Sequence, residues 1–252
     1  MVTYRKRKTK RSAKLQLITA LATLLVLASA YIIKDNGSNG IMALFNPNAA
    51  TTQNVSAEDN KDLLKLQYDG THQVVTVNNN KPEFSPSEVK SGQKSGQTFS
   101  PLDKFNRAGT ANAVLSKELM PHEEREPLYV DPTGWKNKKI STGWLYNRSH
   151  LIGYQLTGEN NNLKNLITGT RSLNSPSMLD YENQVAAYLK NTGNQVRYRV
   201  TPVFLGDELV ARGVHMEAQS IQDNKLHFNV YIFNVEKGVI IDYSDGSSHA
   251  EN

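Results

Sequence analysis

The 252-residue chain contains no cysteine. That excludes thiol catalysis, thiolate zinc sites and redox roles, and it leaves the fold without disulfide staples. It has no internal repeat, heptad run or glycine-rich phosphate loop, so solenoid, coiled-coil and nucleotide-cradling architectures drop out. None of the six histidines sits in an HExxH or HxH spacing, the usual mark of a histidine zinc site. Acids are scarce where they might be expected. The stretch NRSHLIGYQLTGENNNLKNLITGTRSLN, residues 147–174, holds Arg148, Lys164, Arg171, several asparagines and one histidine, but only a single acid, Glu159.

What is present begins with a misleading charge. The net formal charge of +5 comes from the first 14 residues, where Arg5, Lys6, Arg7, Lys8, Lys10, Arg11 and Lys14 stand with no acid. The other 238 residues carry a net −2, so the basic balance is no argument for nucleic-acid binding by the folded part. After this basic tail (1–14), residues 15–33 run LQLITALATLLVLASAYII without a charge, about the length needed to cross ~30 Å of hydrocarbon. Basic residues in front orient the N-terminus to the cytosol. The segment reads as a signal anchor, or as a signal peptide cleaved after Ala28-Ser29-Ala30; either places the domain on the extracellular side of the membrane or in the medium.

Residues 34–62 are rich in Asn, Ser, Thr, Ala and Gly and read as a polar linker. The folded domain is expected over 63–246, followed by a short tail at 247–252. Within it, QVVTVNNN reads as a strand and turn, and SGQKSGQ from Ser91 as a flexible stretch. NRAGTANAVLSKELM, residues 106–120, has Ala108, Ala111, Leu115 and Leu119 near helical spacing and predicts a helix ending at Pro121. Ser175-Pro176 predicts a cap and first turn, with Tyr181, Val185, Tyr188 and Leu189 forming one helical face that ends at NTGN. In QVRYRVTPVF and LHFNVYIFNV apolar residues alternate with polar ones, which predicts half-buried strands and puts Arg197 and Arg199 on a solvated face. The fold class is mixed α+β with a mostly antiparallel sheet.

Among the histidines, His72, His227 and His249 read as surface residues, and His122 and His215 as structural ones. His150 stands apart because its segment also supplies cations and amides. An isolated histidine in such a loop is more often structural than catalytic. The company it keeps shifts the balance away from a purely structural role.

LYNRSHLIGYQLTGENNNLKNLITGTRSLN, with LDKFNRAGTANA, DPTGW, YRVTPVF and IDYSDG around it in order, resembles the DNA/RNA non-specific endonuclease family. This is the family of ββα-metal (His-Me finger) nucleases, and the match is closest to its DNA-entry nuclease-like branch. The wider family reads Asp-Arg-Gly-His where this chain reads Asn147-Arg148-Ser149-His150, which leaves the role of Asn147 open. The resemblance implies a ββα-metal fold with a central mostly antiparallel sheet and flanking helices. It places the general base on His150 and a direct metal ligand on Asn174. Glu182 matches an acid acting on the metal through water, and Asn165 a further site asparagine. Arg171 and Arg148 become candidate phosphate contacts, with Lys164 a weaker one.

The implied cofactor is Mg²⁺, with Mn²⁺ as a substitute and no organic cofactor. The implied partners are DNA and RNA, and the membrane if residues 15–33 are retained. Plainer readings stand beside these: Asn174 as a helix N-cap, Glu182 as an exposed helix charge, Asn160-Asn161-Asn162 as turn chemistry. The competing function is a catalytically inactive surface module of the same fold that binds nucleic acid.

Overall fold

A computed structural model describes residues 53–251; the expected basic tail, the uncharged 15–33 segment and most of the linker lie outside the described residues. Among the described residues no helix is long and apolar enough to cross a membrane. They belong to one compact unit.

The chain forms β1 (Asn54–Val55), α1 (Asn60–Leu63), β2 (Val74–Val77), β3 (Gly96–Phe99) and β4 (Ala111–Leu115). Then come two hairpins, β5 (Lys139–Ile140) with β6 (Gly143–Trp144), and β7 (Tyr146–His150) with β8 (Leu166–Thr170), the latter enclosing α2 (Tyr154–Thr157). A π-helical turn, Leu173–Met178, leads into α3 (Leu179–Thr192). Strands β9 (Val196–Val203), β10 (Gly213–Ser220) and β11 (His227–Phe233) follow, then the small hairpin β12 (Val239–Ile241) and β13 (Ser248–Ala250).

Seven strands form one sheet in the order β1-β2-β11-β10-β9-β4-β3, antiparallel except for the β1–β2 pair. One face is apolar. Tyr198, Val200, Val214, Met216, Ala218, Phe228 and Val230 meet Val185, Ala186 and Leu189 of α3 and Leu151, Ile152 and Leu156 from the segment after β7. The expected 3.6-residue face of α3 is therefore the face that packs, and Gly193 in the left-handed conformation (φ +69°) ends the helix.

Several expectations change. Residues 106–120 are not helical: Ala111, Ala113 and Leu115 are buried at period two in β4, between β3 and β9, and only Lys117–Leu119 makes a 3₁₀ turn. Small apolar residues satisfy either period, and two hydrogen-bonded neighbours decide the matter. Arg197 does not face solvent, and Arg199 is only half-exposed. Arg197 is 7% exposed and reaches Glu88, Asn112 and the Ala113 carbonyl, while Arg199 pairs with Glu217 at 2.7 Å. His215 belongs to this buried polar face, between Asn60 and Asn229.

The folded part also extends past both expected ends, through β1 and α1 at one and β13 at the other. Asn78 explains the first extension. Its amide binds both the N–H and the carbonyl of Ala57, satisfying backbone in a stretch whose composition reads as spacer. Regular helix begins at Leu179, later than the Ser175-Pro176 cap implied, because Ser175 is extended (φ −151°) and the turn around it is π-helical.

Candidate active site

The hairpin β7–β8 and the helix α3 after it make a ββα unit. Register pairs His150 with Leu166 and Asn147 with Gly169, so His150 ends its strand beside the start of the return strand. Asn165, fully buried, closes this end. It accepts from the Ile152 N–H at 2.9 Å and donates to the Ile152 carbonyl at 3.0 Å, pinning the chain just beyond His150. Its amide is thus spent on backbone. Asn165→Ala would leave two buried Ile152 groups without partners and should cost about 2–6 kcal/mol at ~1–3 kcal/mol for each orphaned group. Urea unfolding measures this; a midpoint equal to wild type would mean that Ile152 finds other partners.

His150 is 6% exposed and has a defined tautomer. Its Nε2 lies 2.9 Å from the Asn160 carbonyl oxygen, which can only accept, so Nε2 carries the proton and Nδ1 offers a lone pair. Nδ1 lies 3.4 Å from a guanidinium nitrogen of Arg125. Burial pushes the imidazole pKa down to about 4; the Asn160 carbonyl opposes this and the Arg125 charge adds to it.

Arg125 comes from the loop before β5, and asparagines hold that loop in place. The Asn160 amide donates to the Glu126 carbonyl, and the Asn161 amide donates to the Pro127 carbonyl and accepts from the Tyr129 N–H. Only Asn162 does the turn chemistry expected of the triplet, accepting from the Lys164 N–H.

Two cavities meet at this point. One, about 250 Å³, is lined by Arg125, His150, Gly153, Tyr154, Gln155, Asn174, Leu179 and Glu182. The other, about 600 Å³, shares Arg125 and Asn174 and is bounded by Trp135, Trp144, Asn147 and Arg148 among others. Asn174, in the π-helical turn, belongs to both cavities. Among the described residues its side chain makes no hydrogen bond, so it caps no helix and its amide oxygen is free.

Glu182 lies in the first turn of α3 and is buried, so the plainer alternative of an exposed helix charge does not hold. Burial pushes its pKa up to about 8, against the Gln155 amide, Arg125 and the Gly153 backbone. Gly153 leaves room for it: a Cβ there would lie 2.4 Å from a Glu182 carboxylate oxygen.

The remaining candidates divide. Asn147 lines the larger cavity. Arg148 does too, but its guanidinium is engaged by Asp131 and the Val130 carbonyl and lies 4.6 Å over Trp135, so it is no free phosphate ligand. Arg171 is exposed, has no ion pair among the described residues, and lies across Gly143. Lys164 is exposed in a 3₁₀ turn and lines neither cavity. Sequence reasoning missed Arg125 and the Asn160 carbonyl. Arg125 sits in the charged run HEEREP, 25 residues before His150, and no local pattern marks it.

The family model for DNA/RNA non-specific endonuclease matches residues 87–222, just over half of the chain. The chain belongs to that family. The chain is 26% identical to NucA from Streptococcus agalactiae. Against the metal-free NucA structure the TM-score is 0.66, covering 77% of this chain and 97% of NucA. Against the magnesium-bound NucA structure it is 0.64, covering 73% and 90%. The Sda1 nuclease with bound zinc is 28% identical with a TM-score of 0.56, over 62% of this chain and 82% of that one. A deoxyribonuclease of Streptococcus dysgalactiae subsp. equisimilis is 27% identical, and the match spans 61% of this chain and 61% of that relative's length.

Proposed function

We propose that the chain is a metal-dependent endonuclease that hydrolyses phosphodiester bonds of DNA, and of RNA, without strong sequence preference. It acts on the extracellular side of the membrane or after secretion, as the uncharged 15–33 segment suggests. One observation carries the reading. A neutral imidazole with its lone pair on Nδ1 lines the same cavity as an unclaimed amide oxygen and a buried carboxyl group.

The donor set fits a hard divalent cation. Asn174 offers an uncommitted oxygen, and Glu182 is buried to the point of losing its charge, a carboxylate short of a counter-charge. Among the described residues there is no group of three His, Asp or Glu that could hold a metal. An amide plus one carboxylate through water suits magnesium, which keeps most of its waters, and manganese could substitute. NucA has been solved with magnesium bound and Sda1 with zinc. Held by Asn174 and, through water, by Glu182, the ion would neutralise charge on the phosphoryl oxygens and ease departure of the leaving oxygen.

The protein groups do the rest. His150 Nδ1 takes the proton from the attacking water, while the Asn160 carbonyl keeps the ring oriented and the proton on Nε2. Arg125, now beside Nδ1, turns its guanidinium to the phosphate as water takes its place. Arg171 supplies an exposed cation for the neighbouring backbone.

The first test is plasmid digestion with and without EDTA: cleavage should stop with EDTA and return with Mg²⁺, and cleavage that ignores EDTA would refute metal dependence. The pH profile adds detail. His150 is in its base form above about 4, so at saturating Mg²⁺ the profile should lack the step near 6.5 that an ordinary histidine gives. Glu182 ionises only near 8 without a cation, so in limiting Mg²⁺ cleavage should decline below about 8, and added Mg²⁺ should restore it. A step at 6.5 that no amount of Mg²⁺ moves would mean that His150 keeps an ordinary imidazole pKa in the working enzyme.

A further inference from the structure

The larger cavity has a lining that phosphate contact alone does not require. Trp144 in β6 is 52% exposed and borders it. The other indole, Trp135, is already covered, by the Arg148 guanidinium at 4.6 Å and the Tyr146 ring at 6.5 Å. Among the described residues Trp144 has only the Lys139 ammonium, 5.6 Å from its ring centre. Beside it, Gly143 takes φ +125°, and a Cβ there would lie 2.7 Å from an Arg171 guanidinium nitrogen, so the cation crosses the backbone next to the indole. Asn147 and Asn174 line the same cavity, and among the described residues neither side chain makes a hydrogen bond. At about 600 Å³ the cavity exceeds the size of one nucleotide.

An open indole, two flanking cations and free amides are what an unpaired nucleotide needs: a face to stack on, charge for its phosphate, and groups for its base edge. We propose that Trp144 is a stacking platform for a nucleobase next to the scissile phosphate, so that the enzyme favours substrates whose bases are unpaired. A base inside a duplex must first leave its stack, whereas a single strand presents its bases freely. Every base has a π face, and the Asn147 amide offers both donor and acceptor. The platform therefore selects strand state without selecting sequence.

The inference rests on the nuclease reading of the same site, and the test separates the two. The kcat/KM of the purified chain is measured on a single-stranded oligonucleotide and on its duplex, for wild type, Trp144→Ala and Trp144→Phe. Trp144→Ala should lose about 5- to 100-fold on the single strand, mostly in KM, so that the single-strand to duplex ratio falls, and Trp144→Phe should retain most of it. Equal losses on both substrates, or none, would overturn the platform.

Binding is read separately, in EDTA, from tryptophan fluorescence. The chain has two tryptophans, both on this cavity, and the quench by a single-stranded oligonucleotide should fall in Trp144→Phe to what the covered Trp135 alone gives. Quenching by Trp144 without cleavage in Mg²⁺ would overturn the nuclease and keep the platform. Cleavage with neither quench nor altered ratio would do the reverse.

Discussion

Replacing His150 with alanine is expected to slow plasmid cleavage on the order of 10²- to 10⁴-fold, the usual contribution of a positioned general base. The argument rests on geometry more than on residue type. Nε2 is committed to a main-chain carbonyl at 2.9 Å, which leaves Nδ1 the one proton acceptor on the ring. The variant gives up the hydrogen bond to Asn160, the longer contact with Arg125 and some buried volume, and circular dichroism should still report native structure. A folded His150→Ala protein that degrades DNA at the wild-type rate would remove the base from His150. Loss of cleavage with DNA binding retained is the expected result.

Asn174→Ala is expected to raise the Mg²⁺ concentration for half-maximal cleavage by at least the ~10- to 100-fold that follows loss of even an outer-sphere partner. The fold should be almost indifferent, because among the described residues the Asn174 side chain makes no hydrogen bond and the π-helical turn that carries it is backbone-defined. This contrast makes the prediction sharp. A large loss of stability would mark Asn174 as structural, and an unchanged metal titration would move the ligand elsewhere. Isothermal titration with Mg²⁺ reads the same loss without turnover.

The parts of this site that could be read from the sequence are those encoded locally. Helix α3 announces itself through Tyr181, Val185, Tyr188 and Leu189 and stops at Gly193. The hairpin β7–β8 and α3 bring the two ends of the 147–174 stretch to one cavity, as the family motif implies. What escaped notice depends on partners distant in sequence. β10 gives no alternating pattern because nearly every residue in GVHMEAQS is buried, the polar ones by pairing such as Glu217 with Arg199. Arg197 looks like a surface residue until Glu88 and Asn112 arrive from 109 and 85 residues away. Arg125 reaches His150 only because Asn160 and Asn161 hold its loop, and side chains holding another loop's backbone leave no periodic trace.

On the proposed mechanism, the carbonyl behind His150 would also bear on how quickly the site recovers after each cut. A carboxylate in that position would stabilise the imidazolium that forms when the ring accepts a proton, and would hold the proton in place. The Asn160 carbonyl is neutral and the nearby Arg125 is cationic, so a protonated His150 is a high-energy species here. It should pass its proton to solvent readily and be ready for the next water. Because the partner is main chain, no side-chain exchange at position 160 can install that trap; only a shift of the loop could.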